Sequence, residues 1–337
     1  MTGEADGRLT VSVVICAYTL DRWDVLQRAI KSVLNQDFRP DQVILVIDHN
    51  AELLALARNS FPKEVLVLEN DEQQGNAGAR NVGLRLCDND VVAFLDDDAV
   101  AHPDWLARLI AGYKDDSVVG VGGLLVPSWV QARPRWFPDE FLWVVGCSYT
   151  GLPTNTERVR NLIGANMSLR RRVLQSVGGF RPGLERIGKR PFGVEETELC
   201  IRAARAVPSG ELLHEPSAIA EHLVSAGRER PSYFVRMCFN EGRGKALMQS
   251  VVGRQDGLSS ERAYARRVLP AAVGRGIADA VRKRDLSGLG RSLAVIVGVW
   301  AAASGYAFGR MSGHETVYAP PKLWAVPPEP NDQSAAL

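Results

Sequence analysis

Apolar and polar positions alternate in two rhythms along the first 110 residues. Unbroken apolar runs at 11–15, 43–47, 65–68 and 91–95 predict buried strands. Between them apolar residues return at helical intervals, as Trp23, Leu26, Ile30, Val33 and Leu34 do within 22–36. Further helices are predicted over 51–59, 78–87 and 105–113. Such alternation predicts an α/β fold whose doubly wound, mostly parallel sheet is covered on both faces. Ligands bind sheets of this kind beyond the carboxyl ends of the strands. The residues to read there are Ala17-Tyr18, Asp48-His49-Asn50, Glu69-Asn70 and Asp96-Asp97-Asp98.

From about 120 to 226 the rhythm weakens. Stretches such as Arg133-Pro134-Arg135-Trp136-Phe137-Pro138 and Gly178-Gly179-Phe180 predict long loops over a mixed sheet. Residues 262–284 read as a basic helix, and 292–309 are 18 uncharged residues bracketed by Arg291 and Arg310. The organisation expected is a domain over 1–226 with halves at 10–118 and 119–226, a basic and hydrophobic helical extension over 227–311, and a loose Pro-rich tail over 312–337.

Charge changes the picture in one respect. The net charge of +1 over 337 residues argues against a nucleic-acid partner. Yet residues 1–226 carry 24 Lys and Arg against 30 Asp and Glu, whereas 227–291 carry 14 against 6. A basic block behind an acidic domain points to an anionic partner for the block. The five cysteines are scattered without a C-x-x-C pair, as reduced core cysteines are. The opening MTGEADGRLT has no apolar run of the kind a signal peptide needs, so a cytoplasmic catalytic part is expected.

Four motifs carry candidate chemistry. Asp96-Asp97-Asp98 ends a buried strand, where three mutually repelling carboxylates make better sense around Mg²⁺ or Mn²⁺ than as a solvated turn. The segment 75–81 opens a helix with small residues, so that backbone N–H groups and Arg80 can approach phosphate, although small residues also serve close packing. Glu195, Glu196 and Glu198 open another helix. Acids there offset the helix dipole, or one of them serves as a general base. His222, in an apolar stretch, is either a core histidine or a third metal ligand.

Together these residues resemble the family-2, inverting glycosyltransferases of the GT-A fold. The likeness covers roughly residues 10–225 and lies in the order of its parts: VSVVICAY, Asp48, GNAGARNVGL, FLDDDA, GANMSLRR, GGF and FGVEETELCIR. It implies a Rossmann-like GT-A sheet with a nucleotide-binding half, 10–118, and a mixed acceptor-side subdomain. It implies that Ala17, Tyr18 and Asp48 contact the nucleoside of a nucleotide-sugar donor, and that Arg80 and Asn81 face its diphosphate and sugar. Asp96 and Asp98 match the two acids of the DXD motif, with Asp97 between them on the donor side. Asp98, Asp96 and His222 would hold Mn²⁺ or Mg²⁺. Gly164, Ala165 and Asn166 match the loop beneath donor sugar and acceptor. Glu196 falls at the catalytic base, with Glu195 the alternative, since Glu-Glu stands where Glu-Asp is usual. His49 departs from the usual Asp or Asn.

The expected reaction is single displacement with inversion, from a nucleotide sugar, a UDP-sugar by family frequency, to a hydroxyl of a glycan or polyprenyl-linked acceptor. The run at 292–309 fits a helix lying in the inner leaflet, a packed helix or homodimer contact, or a true span. The basic block favours an anionic membrane surface, and hence a peripheral or monotopic enzyme on the inner face of the plasma membrane. The tail is similar to that of actinobacterial and archaeal membrane-associated family-2 enzymes, glucuronosyltransferases included. Alternatives are a soluble natural-product acceptor or a non-catalytic scaffold at the membrane. A nucleotidyltransferase would want Gly, Arg and Lys directly after the first strand, where Ala17-Tyr18-Thr19-Leu20 stands.

Overall fold

A computed structural model describes residues 8–185, 193–252, 264–282 and 284–312. Its first half is built from β1 (Val11–Ala17), α1 (Trp23–Leu34), β2 (Gln42–Ile47), α2 (Ala51–Ser60), β3 (Val65–Glu69), α3 (Asn76–Arg85) and β4 (Val91–Asp96). The four strands run parallel in the order β3-β2-β1-β4. The apolar runs are unbroken because β1, β2 and β4 are buried on both faces. Helix α1 buries Val25, Leu26, Ala29, Ile30 and Val33 along one side. Helix α3 differs, being buried over almost its whole length, and this explains its small residues. A Cβ on Gly83 would lie 2.6 Å from a methyl of Val14 on β1.

The second half is not parallel. It comprises β5 (Ala99–Ala101), α4 (Trp105–Ala111), β6 (Val118–Trp129), β7 (Glu157–Val159), β8 (Asn166–Arg170), α5 (Arg171–Val177), α6 (Glu195–Ala206) and β9 (Glu211–Val224). Strand β8 inserts antiparallel between β4 and β6, so the sheet continues β4-β8-β6-β9-β5, with β7 also paired to β9. Strands β6 and β9 run parallel with a register shift between Gly123 and Leu124. The expected mixed subdomain is therefore one continuous sheet with the first half.

Three helices follow: α7 (Pro231–Val252), α8 (Leu269–Arg282) and α9 (Ser287–Met311). They share the core of the sheet's α1 side, to which Phe234, Cys238, Leu269 and Val295 all belong. Helices α7 and α9 meet backbone to backbone, since a Cβ on Gly242 would lie 1.9 Å from the Ala302 carbonyl oxygen. The apolar run read at 292–309 is thus the middle of a 25-residue helix with one face packed on protein. The Pro-rich stretch beyond Ser312 and Phe192 of the FGVEE motif lie outside the described residues.

Candidate active site

Strand β4 ends at Asp96 and β5 begins at Ala99, so Asp97 and Asp98 form the turn between them. Ala99 is the register partner of His222 on β9, and this pairing carries the histidine to the turn. His222 Nε2 lies 3.1 Å from Asp98 Oδ1. Ligand atoms of Asp96, Asp98 and His222 lie within 4.8 Å of one another, and among the described residues no other such trio does. Beneath the imidazole lie Cys147, its Sγ 3.7 Å from His222 Nδ1, and Gly146, held at φ 86°. A side chain on Gly146 would start 3.2 Å from the ring. Two carboxylates and an imidazole suit Mn²⁺ or Mg²⁺.

The electrostatics are those of a buried pair. Burial opposes the charge of Asp98, but His222, then Arg22 and Arg228, hold its carboxyl below the usual range. Burial likewise opposes the charge of His222, yet Asp98 lifts it to about 10. Asp97 stands apart from the trio. Its Oδ1 accepts from Arg22 Nη1 at 2.6 Å, and its other oxygen is buried with no hydrogen-bond partner. Burial pushes Asp97 up to about 7 against the pull of Arg22, with Asp98 and Asp96 adding to the rise.

Two cations that sequence reading missed converge on this turn. Arg22 Nη1 lies 3.0 Å from Asp98 Oδ2, and Arg228 Nη2 lies 3.7 Å from the same oxygen. Arg22 sits in the helical turn just beyond β1, and Arg228 in the turn just beyond β9. The available signal was position. Each is an arginine within five residues of a strand's carboxyl end.

Arg80 joins the turn to α6. Only 3% exposed, it donates from Nη2 to Asp96 Oδ1 and to the Gly164 carbonyl oxygen, both at 3.1 Å. Its Nη1 lies 3.7 Å from Glu195 Oε1, and its guanidinium carbon lies 5.8 and 5.2 Å from the ring centroids of Phe94 and Phe180. A Cβ on Gly164 would stand 3.0 Å from the guanidinium nitrogens, so a larger residue there would have to displace them. Burial and the charge of neighbouring Glu196 push Glu195 well above the usual carboxylate range, with Arg80 opposing. Glu196 is half-buried. The third acid of this turn has another task, for Glu198 is bound by Arg202 at 2.7 Å and flanked by Arg181.

At the other end, Ala17 is buried and its carbonyl oxygen accepts from the Asp48 amide, while Tyr18 is 55% exposed. Asp48 accepts from Asn70 Nδ2 at 2.6 Å and from the Gly75 amide at 3.0 Å, and lies 2.8 Å from His49 Nδ1. It therefore ties the ends of β2 and β3 to the start of α3. Two residues expected near the donor have their side-chain hydrogen bonds committed within the protein. Asn81 exchanges both with the Phe180 backbone at 2.8 Å. Asn166 is wholly buried, accepts from Trp105 Nε1 and donates to the carbonyl oxygens of Leu124 and Ala218 at the β6–β9 register shift. Ala165 beside it is buried.

Residues 12–178 match the family model of glycosyl transferase family 2. The chain is 31% identical over 308 residues to the glucosyl-dolichyl phosphate glucuronosyltransferase of Haloferax volcanii, covering 90% of this chain and 97% of that one. The chain belongs to glycosyltransferase family 2. Solved structures place this family-2 enzyme among GT-A folds. The mannosyltransferase PcManGT of Pyrobaculum calidifontis, in complex with GDP-Man and Mn²⁺, is similar with a TM-score of 0.56 and 17% identity, over 91% of this chain and 87% of that one. GalNAc-T7, solved with UDP, GalNAc and Mn²⁺, gives 0.50 and 18%, over 78% and 55%. The protein is a glycosyltransferase of the kind that uses nucleotide-sugar donors, and it carries a candidate metal site.

Proposed function

We propose that the enzyme is a metal-dependent, inverting transferase that moves a hexosyl or glucuronosyl group from a UDP-sugar to a hydroxyl of a polyprenyl-linked glycan. The observation that carries this is the spacing of charges around Arg80. An acid–histidine trio lies on one side and the Glu195-Glu196 pair on the other. The Haloferax relative, whose name specifies a glucosyl-dolichyl phosphate and glucuronosyl transfer, matches through the carboxyl-terminal helices as well.

Asp96, Asp98 and His222 would hold Mn²⁺ or Mg²⁺, which when bound neutralises charge on the leaving nucleoside diphosphate. Arg22 and Arg228 add guanidinium charge at the same place. Glu195, buried against Arg80, orients the pair, and Glu196, open on one side, takes the proton of the acceptor hydroxyl. The oxygen then attacks the anomeric carbon on the face opposite the diphosphate. The bond from that carbon to the diphosphate breaks, its electron pair leaves with the phosphate, and configuration inverts. Tyr18 and Asp48 flank the nucleoside end. The polyprenyl chain puts the acceptor at a membrane, where the enzyme works from the cytoplasmic face.

The test is a transfer assay with purified enzyme, Mn²⁺, a panel of UDP- and GDP-sugars, and a glucosyl polyprenyl phosphate as acceptor. An extended lipid-linked product from a UDP-sugar is expected. Transfer only to a soluble hydroxyl compound, or none from any donor, would overturn the proposal.

A further inference from the structure

The outward face of α9 is largely apolar. Leu293, Ile296, Val297, Trp300, Phe308 and Met311 are all exposed, Trp300 at 71%. Leu293, Ile296, Val297 and Trp300 recur at three- and four-residue intervals, and the same face continues through exposed Ala303, Ser304 and Ala307 to Phe308 and Met311 along a helix about 37 Å long. Leu286, in the turn before α9, and Val281 near the end of α8 are more than 70% exposed as well. A row of exposed large apolar side chains of this kind marks an interaction surface.

The surroundings of the stripe say what covers it. The described residues from 264 to 312 hold seven arginines and two aspartates. Asp279 is taken by Arg291, and Asp285 by the amide and hydroxyl of Ser287. Arg266, Arg267, Arg282, Arg284 and Arg310 are exposed and pair with no acid among the described residues. An apolar stripe with Trp300 at its middle, Arg310 at its end and Arg282 and Arg284 in the chain just before it complements an anionic lipid surface.

The packing of α9 decides between lying and crossing. Its inner face is clamped to α7, where Gly305 lies against the Phe239 carbonyl oxygen and Gly309 against Arg243 and Ala246. At this level α7 carries Arg243 and the Glu241–Lys245 ion pair. A spanning α9 would drag these charges into hydrocarbon or strip the helices apart, both costly. We infer that α9 lies flat in the surface of an anionic bilayer, its outward stripe among the lipid chains, and does not cross it. This rests on the reading that the acceptor is membrane-borne, and it brings the acceptor to the site. Gly290 of α9 abuts Trp136, Trp136 and Trp129 both pack on Phe137, and Trp129 pairs with Val224, two residues beyond His222.

The test uses the full chain with vesicles of phosphatidylcholine alone or mixed with phosphatidylglycerol, and calorimetry of UDP binding in Mn²⁺ alongside. Tenfold or tighter binding to the anionic vesicles is expected. It should be lost in Leu293→Glu/Ile296→Glu and weakened in Arg282→Gln/Arg284→Gln, with UDP binding unchanged in both. In sealed membranes, Arg284→Cys and Ser312→Cys, at exposed polar positions on either side of α9, should react with an impermeant maleimide from the same side. Labelling from opposite sides would show a span and overturn the inference. So would vesicle binding that survives the double glutamate variant, or a dimer that the variant dissociates without any vesicle binding. Failure of UDP binding in the wild type would instead sink the UDP-donor reading of the proposed function, whatever the vesicles show.

Discussion

Arg80 Nη1 stands 3.7 Å from Glu195 Oε1 with both side chains buried, and the same guanidinium holds Asp96 at 3.1 Å. One cation thus compensates carboxylates that belong to opposite ends of the site. Removing one member of a buried charge cluster strands the others, typically at about 3–5 kcal/mol. Arg80→Met should therefore destabilise the fold by roughly that amount, and Glu195→Gln in the same chain should recover part of the loss. Denaturant midpoints for the two single variants and the double variant check this. Strictly additive effects would show that the two groups are not coupled.

Glu195 also sets a pH dependence. Its folded pKa is raised by burial and by Glu196, so the native state holds a proton more tightly than the unfolded chain does. Stability contributed by this group is therefore lost as pH rises from about 4.3, the ordinary glutamate value, toward the raised one. Glu195→Gln removes that loss. Its stability relative to wild type should be higher at pH 8 than at pH 5, as read from urea unfolding at the two values. An equal difference at both would contradict the shift.

Arg22 reaches Asp97 and Asp98 from just beyond β1 and is only partly buried. If its charge serves the leaving diphosphate, Arg22→Gln should weaken UDP binding in Mn²⁺ by tenfold or more. That is the scale of a charge-assisted hydrogen bond, about 1.5–3 kcal/mol. Titration calorimetry at two salt concentrations reads it, and the variant should show the shallower salt dependence. Unchanged affinity would confine Arg22 to a structural pairing with Asp97.

Glu196 is half-buried beside buried Glu195 and is the carboxylate left open to a substrate. Glu196→Gln should keep donor binding and lose about 10²-fold or more in transfer rate. Near-normal turnover would move the base to Glu195.

The first half of the fold was legible because burial on both faces leaves unbroken apolar runs, as in β1 and β4. Local periodicity carries no such record of β5, three residues long and a strand only through its pairing with β9. Nor does it record β8, whose place between β4 and β6 depends on distant partners. The same divide runs through the site. Asp96, Asp98 and His222 are chemically conspicuous in the chain and do converge. Arg22 and Arg228 gain their position only when β1 and β9 bring their ends together. Asn81 and Asn166 show the converse. The likeness puts Asn81 on the donor side and Asn166 in the loop beneath donor sugar and acceptor, and their amides bind the Phe180 backbone and the carbonyl oxygens of Leu124 and Ala218. A motif reports neighbours along the chain, not which way an amide turns.

Asp98, with Asp96 and His222, is expected to make donor binding depend on a divalent cation. Calorimetry of UDP and UDP-sugars on the purified chain, with Mn²⁺ and with chelator, tests it most directly, alongside Asp98→Ala. Binding in Mn²⁺ that chelator abolishes and Asp98→Ala lacks is the predicted result. Equal affinity with and without metal, or undiminished affinity in Asp98→Ala, would contradict it.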